Sequence, residues 1–507
     1  MQNEHNFKQM KKYVLVLSLL STLITKTVMA QSGLGFYHMA REIPQGTNTS
    51  PIFFPDAGLY LGLGGVQVNA ASPYDTKDLT TSDGLYNIDL LTSDLDNKDF
   101  ISFGAEAHAF NLGLKINPKS YITFFANGVS ETIIQVPKSA LNFLKEGNGA
   151  FAGSTYEIDD VRVGSNTYAE AGFGYMRKVS LKGKPLLVGM RFKYLVGVAN
   201  VSVDDDAKAT VTTNTDGTMN LSIENGIARR AGLAAYQDDY SFESRGFAID
   251  FGGEYNLTDK LSVSFTARDL GAINWKANST KNYRVQNSSF EYNGIDDLGD
   301  PDFSDIADTL ETIADIEEFQ EGYRKSLQPE FYYGARYNMF GQSYASLTMA
   351  NYVKEGRLQT GFGVGATINL IGTLTLSGTV AKLPENGIDF GAGLALRLAV
   401  LQLYVAADGL SSLNVSNASY AQVNAGASLM FGRPRKKEEE KIARKAEKKS
   451  MRQSSKKLKK VKKDKGEDLG DTAEDRAAEE KIKQDKELEK KYKELDEDKK
   501  KFEENIE

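Results

Sequence analysis

From residue 388 to 398 the chain alternates. Ile388, Phe390, Ala392, Leu394, Leu396 and Leu398 fall on one face, and Asp389, Gly391, Gly393 and Arg397 on the other. A period of two residues marks an extended strand whose faces meet different surroundings, and a helix, with its period of 3.6, does not carry it. The pattern recurs at 247–255, 261–267, 362–370 and 420–431, and the same face logic fits 168–178, 188–198 and 401–407. These segments run about ten residues, as tilted membrane strands do. Short turn-like pieces join them, such as "NLTDKL" (256–261), "LIGT" (370–373) and "LPENG" (383–387), as antiparallel hairpins require.

Repeated alternation of this length suits a transmembrane β-barrel. A closed barrel crosses lipid because every backbone N–H and C=O finds a partner in the next strand. A soluble sandwich or propeller also alternates, but its apolar positions need a large dry core. Here the face opposite the apolar one is rich in Gly, Ser, Thr and Asn, as a wet lumen requires, and many of the 24 Tyr and 26 Phe sit near segment ends, where interfacial girdles belong. The expected fold is therefore all-β: a transmembrane antiparallel β-barrel over residues 31–432. At roughly 25–30 residues per strand plus connection it holds about fourteen strands, within a range of twelve to sixteen.

The address agrees with this. Lys8, Lys11 and Lys12, then an apolar run from Tyr13 to Ile24, then Val28-Met29-Ala30 read as a secretory signal peptide over 1–30, cleaved before Gln31. The apolar run is too short for a membrane anchor, which needs ~20 residues. Cysteine is absent from the 507 residues, which removes disulfides, thiolate metal sites and a cysteine nucleophile. The expected location is the outer membrane of a Gram-negative bacterium. The formal charge of −7 is unevenly divided: the body from 31 to 432 carries a net −15, while the tail from 433 to 507 carries 27 basic and 22 acidic residues.

Six stretches occur in a fixed order: "TNTSPIFFPDAGLYLGLGGVQVN" (47–69), "FLKEGNGAFAGSTYEID" (143–159), "RFKYLVGVANV" (191–201), "ARDLGAINW" (267–275), "LQLYVAADGLSSLN" (401–414) and "VNAGASLMFG" (423–432). Together they resemble an uncharacterised outer-membrane β-barrel family of Bacteroidota-type bacteria, a domain of unknown function. That family is related to the PorP/SprF-like membrane proteins of type IX secretion and broadly akin to fatty-acid-transporter-like barrels. The resemblance runs from about residue 33 to 432 and implies a barrel with no established reaction, no cofactor and no catalytic residues to carry over. It also makes "YAQVNAGASLMFG" look like the closing strand, with Phe431 as the terminal aromatic that the barrel assembly machinery reads. Barrel ends normally lie on the periplasmic side, which puts the tail in the periplasm.

Other candidates for chemistry are weak. Acidic "DLDNKD" (94–99) and "DDD" (204–206) lack the spacing and glycine of a calcium loop and read as solvated loops, so no metal is expected. The histidines are His5, His38 and His108. Only His108 lies in a strand, in "AEAHAFNLG", with no serine motif nearby to make it a catalytic base; it reads as packed or lumen-facing. Glycines at 58–65 read as wall glycine, because no strand–GxGxxG–helix unit accompanies them. Within 138–160, Ala140 to Lys145 is helix-like, either part of a long loop or an inward-folded constriction. Ile306, Leu310, Ile313, Ile316 and Phe319 recur at helical spacing, and read as a surface helix packed on a rim, with a plug or partner-binding helix as the alternative.

The tail is too poor in apolar residues to build a core. It is expected to be disordered or an isolated charged helix, with Glu487–Lys491, Glu489–Lys493 and Glu497–Lys501 as favourable i,i+4 pairs and Leu488, Leu495 and Phe502 as a sparse coiled-coil register. The residues support two non-enzymatic functions. The first is a structural or assembly component of an envelope machine, with a link to type IX secretion, whose tail contacts a periplasmic protein or peptidoglycan. The second is a channel or transporter for a small hydrophobic or polar solute. Outer-membrane lipid and the barrel assembly machinery are partners under both, and nucleic acid is under neither.

Overall fold

The computed structural model describes residues 34–72 and 101–432, except 136, 159–160, 204–206, 217, 225, 237–241, 286–287, 291–315, 341, 355, 371, 383–387 and 411–419. The signal segment, both acidic loop motifs, Ile306, Leu310, Ile313 and the whole tail lie outside the described residues.

In chain order the first strands are β1 (Leu59–Ala71), β2 (Ile101–Asn117), β3 (Ser120–Gln135), β4 (Ser154–Ile158), β5 (Arg162–Leu181), β6 (Lys184–Val203), β7 (Lys208–Thr213) and β8 (Met219–Glu224). Next come β9 (Ile227–Gly232), β10 (Arg245–Asn256), β11 (Leu261–Trp275), β12 (Thr280–Val285), β13 (Ser288–Phe290), β14 (Ile316–Phe319) and β15 (Tyr323–Ser326). The series ends with β16 (Glu330–Asn338), β17 (Tyr344–Lys354), β18 (Arg357–Leu370), β19 (Leu374–Lys382), β20 (Ile388–Leu398), β21 (Leu401–Asp408) and β22 (Tyr420–Phe431). The helices are α1 (Leu34–Ala40), α2 (Gly46–Thr49) and α3 (Lys138–Glu146).

Fourteen of these strands form a ring in the order β1, β2, β3, β5, β6, β10, β11, β16, β17, β18, β19, β20, β21, β22, each antiparallel to the next. The ring closes where β22 pairs with β1, from Leu59↔Phe431 to Ala71↔Tyr420. Closure leaves the ring no unpaired edge, which is what allows a sheet to sit in lipid. Outside it the alternation does what the sequence predicts. On β20, Ile388 is 67% and Phe390 51% exposed while Asp389 between them is buried. Leaving such side chains in water would cost on the order of 1.5–3 kcal/mol each; against lipid the cost vanishes.

The two ends of the barrel differ. Connections at one end are short, among them a two-residue turn at Lys182-Gly183 with φ of 50° and 79°, the left-handed pair that a tight hairpin needs. The chain leaves β22 at this turn end. At the opposite, loop end lie the long connections, and there the wall grows outward: the top of β6 pairs with β9, β9 with β12, and β12 with β14, while β15 pairs with the top of β11.

Two expectations change here. Ile316 and Phe319 belong to a strand, not to a helix: β14 pairs with β12, and Arg284 and Glu317 join across the pair at 3.0 Å. Backbone pairing at this growing wall edge overrides the helical spacing. The helix expected near Ala140–Lys145 is present as α3, but its Phe143 packs with Phe151, Tyr156, Val211 and Met219 on a separate four-stranded sheet of β4, β7, β8 and β13. A different segment enters the bore.

Candidate functional site

Residues 34–57 fill the lumen. Nearly all are buried, and Leu34, Phe36, Tyr37, Met39, Ile43, Ile52, Phe53 and Phe54 share one core with inward Tyr60, Tyr121, Tyr332, Tyr352, Tyr404 and Tyr420 of the wall. This plug starts near the loop end, where the Gly35 and Phe36 N–H groups donate to Asp408 Oδ2 at 3.2 and 3.4 Å. From there α1 descends to the turn end, where Glu42 accepts from Asn369 Nδ2 at 3.2 Å and its carbonyl from Gln402 Nε2 at 3.0 Å. The chain climbs to mid-bore at Asn48–Ile52 and returns to β1.

The wall is shaped for this segment. A Cβ at Gly189 would lie 1.9 Å from the Pro51 carbonyl oxygen, and one at Gly365 2.9 Å from Cγ of His38. The small inward residues expected to line a wet lumen are therefore, at these positions, the places where the plug seats. Tyr37 stacks on Tyr332 with ring centroids 4.4 Å apart. Tyr344 donates to the His38 carbonyl at 2.7 Å, and His38 Nδ1 meets Ser346 Oγ. Arg41 pairs with Glu254, which Arg336 also holds at 2.9 Å.

Beside the plug, at mid-bore, sits a buried charge network. Arg191, 1% exposed, lies 3.1 Å from Asp250 and 3.9 Å from Glu170. Lys193 lies 3.2 Å from Asp250 and 3.4 Å from Glu170, and also holds Asp269. Each such ion costs several kcal/mol to desolvate, which only mutual pairing and further hydrogen bonds offset. Part of that offset comes from a β-bulge: the register between β10 and β11 skips at Asp250, Asp269 takes φ 59°, and its N–H donates to Asp250 Oδ1 at 2.8 Å. Arg191 also covers the Phe125 ring at 3.9 Å.

His108 is lumen-facing and buried, as its strand position predicts. Asn48 Nδ2 of the plug donates to its Nδ1 at 3.0 Å, with Asn127 Oδ1 at 3.3 Å and Glu106 Oε1 at 3.4 Å. The glycines at 62–65 are strand glycines, with a bulge between Gly62 and Gly64. Phe431 ends β22 facing outward, and its carbonyl accepts the Gly58 N–H at 2.8 Å. Reading the sequence alone missed the plug and the charge network. Its available signal was the run of inward charges at Arg191, Lys193 and Asp250 within otherwise apolar-alternating strands.

On the loop side of the network a polar cavity remains. Glu106, Glu131, Glu170, Asp269, Glu330 and Arg268 line it, with amides and hydroxyls between them.

A closed ring of fourteen strands, an apolar exterior and a bore filled by the N-terminal segment define an outer-membrane-type β-barrel protein. The chain belongs to a family of unknown function, DUF5723, whose profile matches residues 51–408. No curated protein matches it. Among solved structures it is similar to the Pseudomonas putida toluene transporter TodX, at 11% identity over 80% of this chain and 99% of that one, with a TM-score of 0.38. It is also similar to a Pseudomonas aeruginosa FadL homologue, at 11% identity over 80% and 100%, TM-score 0.37. The translocator domain of the autotransporter NalP from Neisseria meningitidis matches at 10% identity over 80% and 100%, TM-score 0.30. These comparisons give no link to PorP/SprF-like proteins, to type IX secretion or to Bacteroidota-type bacteria.

Proposed function

We propose that the protein is a non-enzymatic outer-membrane channel for a small hydrophobic or polar solute, with residues 34–57 closing the path until they shift. The observation that carries this reading is how the plug is held. Beside the shared apolar core, its contacts to the wall include hydrogen bonds, ion pairs and stacked rings, and the neutral hydrogen bonds among them are individually weak enough to exchange. A bore filled only to support the wall would be expected to close over completely, yet a polar cavity persists on its loop side. Solute flux into liposomes tests it: the full chain or a plug-loosened variant should conduct, and flux should survive deletion of 433–507. Absence of flux from every variant that still folds would sink the reading.

The filled bore also favours a second role, as a structural or assembly component of an envelope machine related to type IX secretion. In that case residues 433–507 contact a periplasmic protein or peptidoglycan, and a secretion component should co-purify through the tail. Both readings take 1–30 as a removed signal peptide and Phe431 as the closing-strand signal for the assembly machinery. Both put the tail in the periplasm, because β22 ends among the short turns.

A further inference from the structure

Resting on the reading of 34–57 as a displaceable plug, we infer that His108 is a proton-operated latch, whose Nδ1 accepts from the plug when bare and donates to the wall when protonated. Three side chains converge on that nitrogen. Asn48 of the plug brings its Nδ2 to 3.0 Å, Asn127 of β3 its Oδ1 to 3.3 Å, and Glu106 of β2 its Oε1 to 3.4 Å. Both amides are fixed by what holds their other ends. Arg191 donates from Nη1 to the Asn48 carbonyl at 2.7 Å and from Nη2 to Asn48 Oδ1 at 3.4 Å, so the amide nitrogen is the end left for the histidine. Asn127 donates its Nδ2 to Glu170 at 2.8 Å, which leaves Oδ1 for the ring. His108, Asn48, Asn127, Glu170 and Arg191 are all buried, so water is a poor substitute for a lost partner.

An imidazole nitrogen carries either a lone pair or a hydrogen, and the two states choose different partners. With the lone pair, Nδ1 accepts from Asn48 and ties β2 to the plug. With the hydrogen, it donates to Asn127 or Glu106, and Asn48 is left facing it donor to donor. A flip of the ring offers no escape, because it sets the Cδ2 carbon against all three groups. The titratable and charged neighbours are Glu106 on the histidine's own strand, Glu170 behind Asn127 with Glu131 farther along β3, Arg191 behind Asn48, and the Tyr404 phenol of β21 across Gly65. The docked plug thus binds fewer protons than the displaced one, and its hold weakens as pH falls.

Histidine is the side chain that ordinarily changes charge between about pH 5 and 8, which sets the window to test. Hydrogen exchange of the amides in 34–57, followed on the full chain in detergent and corrected for its intrinsic pH dependence, reads the docking equilibrium. Exchange around Asn48 should be roughly fivefold faster at the acid end of the window, the scale of one neutral hydrogen bond. His108→Gln, which has no proton to gain there, should remove the difference. His38→Gln, which takes away the plug's own imidazole, should keep it. Heat-dependent gel mobility shows whether each variant folds. Spectra of isotope-labelled histidine in the parent chain, assigned against His38→Gln, decide the matter without His108→Gln: at the alkaline end His108 should carry its proton on Nε2 alone, and at the acid end on both nitrogens. A proton on Nδ1 at the alkaline end would overturn the latch, as would equal exchange at both ends, a difference that survives in His108→Gln, or one that vanishes in His38→Gln. In liposomes, flux through a plug whose exchange ignores pH refutes the latch and leaves the channel standing; pH-dependent exchange with no flux at either end refutes the channel alone.

Discussion

Arg191 Nη1 donates to the backbone carbonyl of Asn48 at 2.7 Å, joining the middle of β6 to the middle of the plug. The same guanidinium lies 3.1 Å from Asp250, which is fully buried. One side chain thus both neutralises the wall and holds the segment that closes the bore. Replacing it with alanine leaves Asp250 short of a partner and the plug short of a donor, and breaking a buried pair in this way costs about 3–5 kcal/mol. We predict that Arg191→Ala loses its heat-resistant gel mobility at a lower temperature and conducts more than the parent in bilayers. Arg191→Lys should fall between, because it keeps the charge but not the forked geometry.

Gly189 offers a steric probe of the same seat. Alanine there overlaps the Pro51 carbonyl, and overpacking of this kind costs typically 1–3 kcal/mol. The wall is fixed by strand pairing on both sides, so the plug is the part that yields. Gly189→Ala should raise conductance and speed proteolysis within 34–57, whereas Gly128→Ala, with nothing within 4 Å of the added carbon, should change neither. Identical behaviour of the two variants would mean that Pro51 does not sit against β6.

Val364 tests the lipid-facing side. It lies mid-strand on β18 and is 58% exposed. An arginine at the bilayer midplane costs about 2–4 kcal/mol, falling to about 0–1 near the interfaces. We expect Val364→Arg to shift the urea midpoint for unfolding from lipid vesicles by that amount. Asp216→Arg, in the exposed β7–β8 turn where Thr218 donates to the aspartate, should leave the midpoint unchanged.

The barrel ring closes through strand pairs that end at Phe431, before the tail begins. Deleting 433–507 should therefore leave the anomalous mobility of the unboiled barrel intact. Loss of folding on truncation would show that the tail contributes to barrel stability.

The faces of the strands were readable because they are a local property: successive Cβ atoms alternate across an extended backbone, so Phe390 outward and Asp389 inward follow from position alone. The strand number followed from dividing the body by the roughly 25–30 residues that one strand and its connection take. Asp250, Arg191 and Lys193 were readable as inward for the same reason, but not as partners, since β6 and β10 are separated by more than forty residues that no periodicity spans. The helical spacing through Ile316 and Phe319 misled because pairing with β12 won over it.

By itself, then, the sequence determined a two-faced sheet with its apolar side outward. Tertiary structure alone decided what occupies the inside. Residues 34–57 have no strand period, and their place depends on contacts such as Pro51 against Gly189 and Asn48 against Arg191, which exist only once the ring has closed around them.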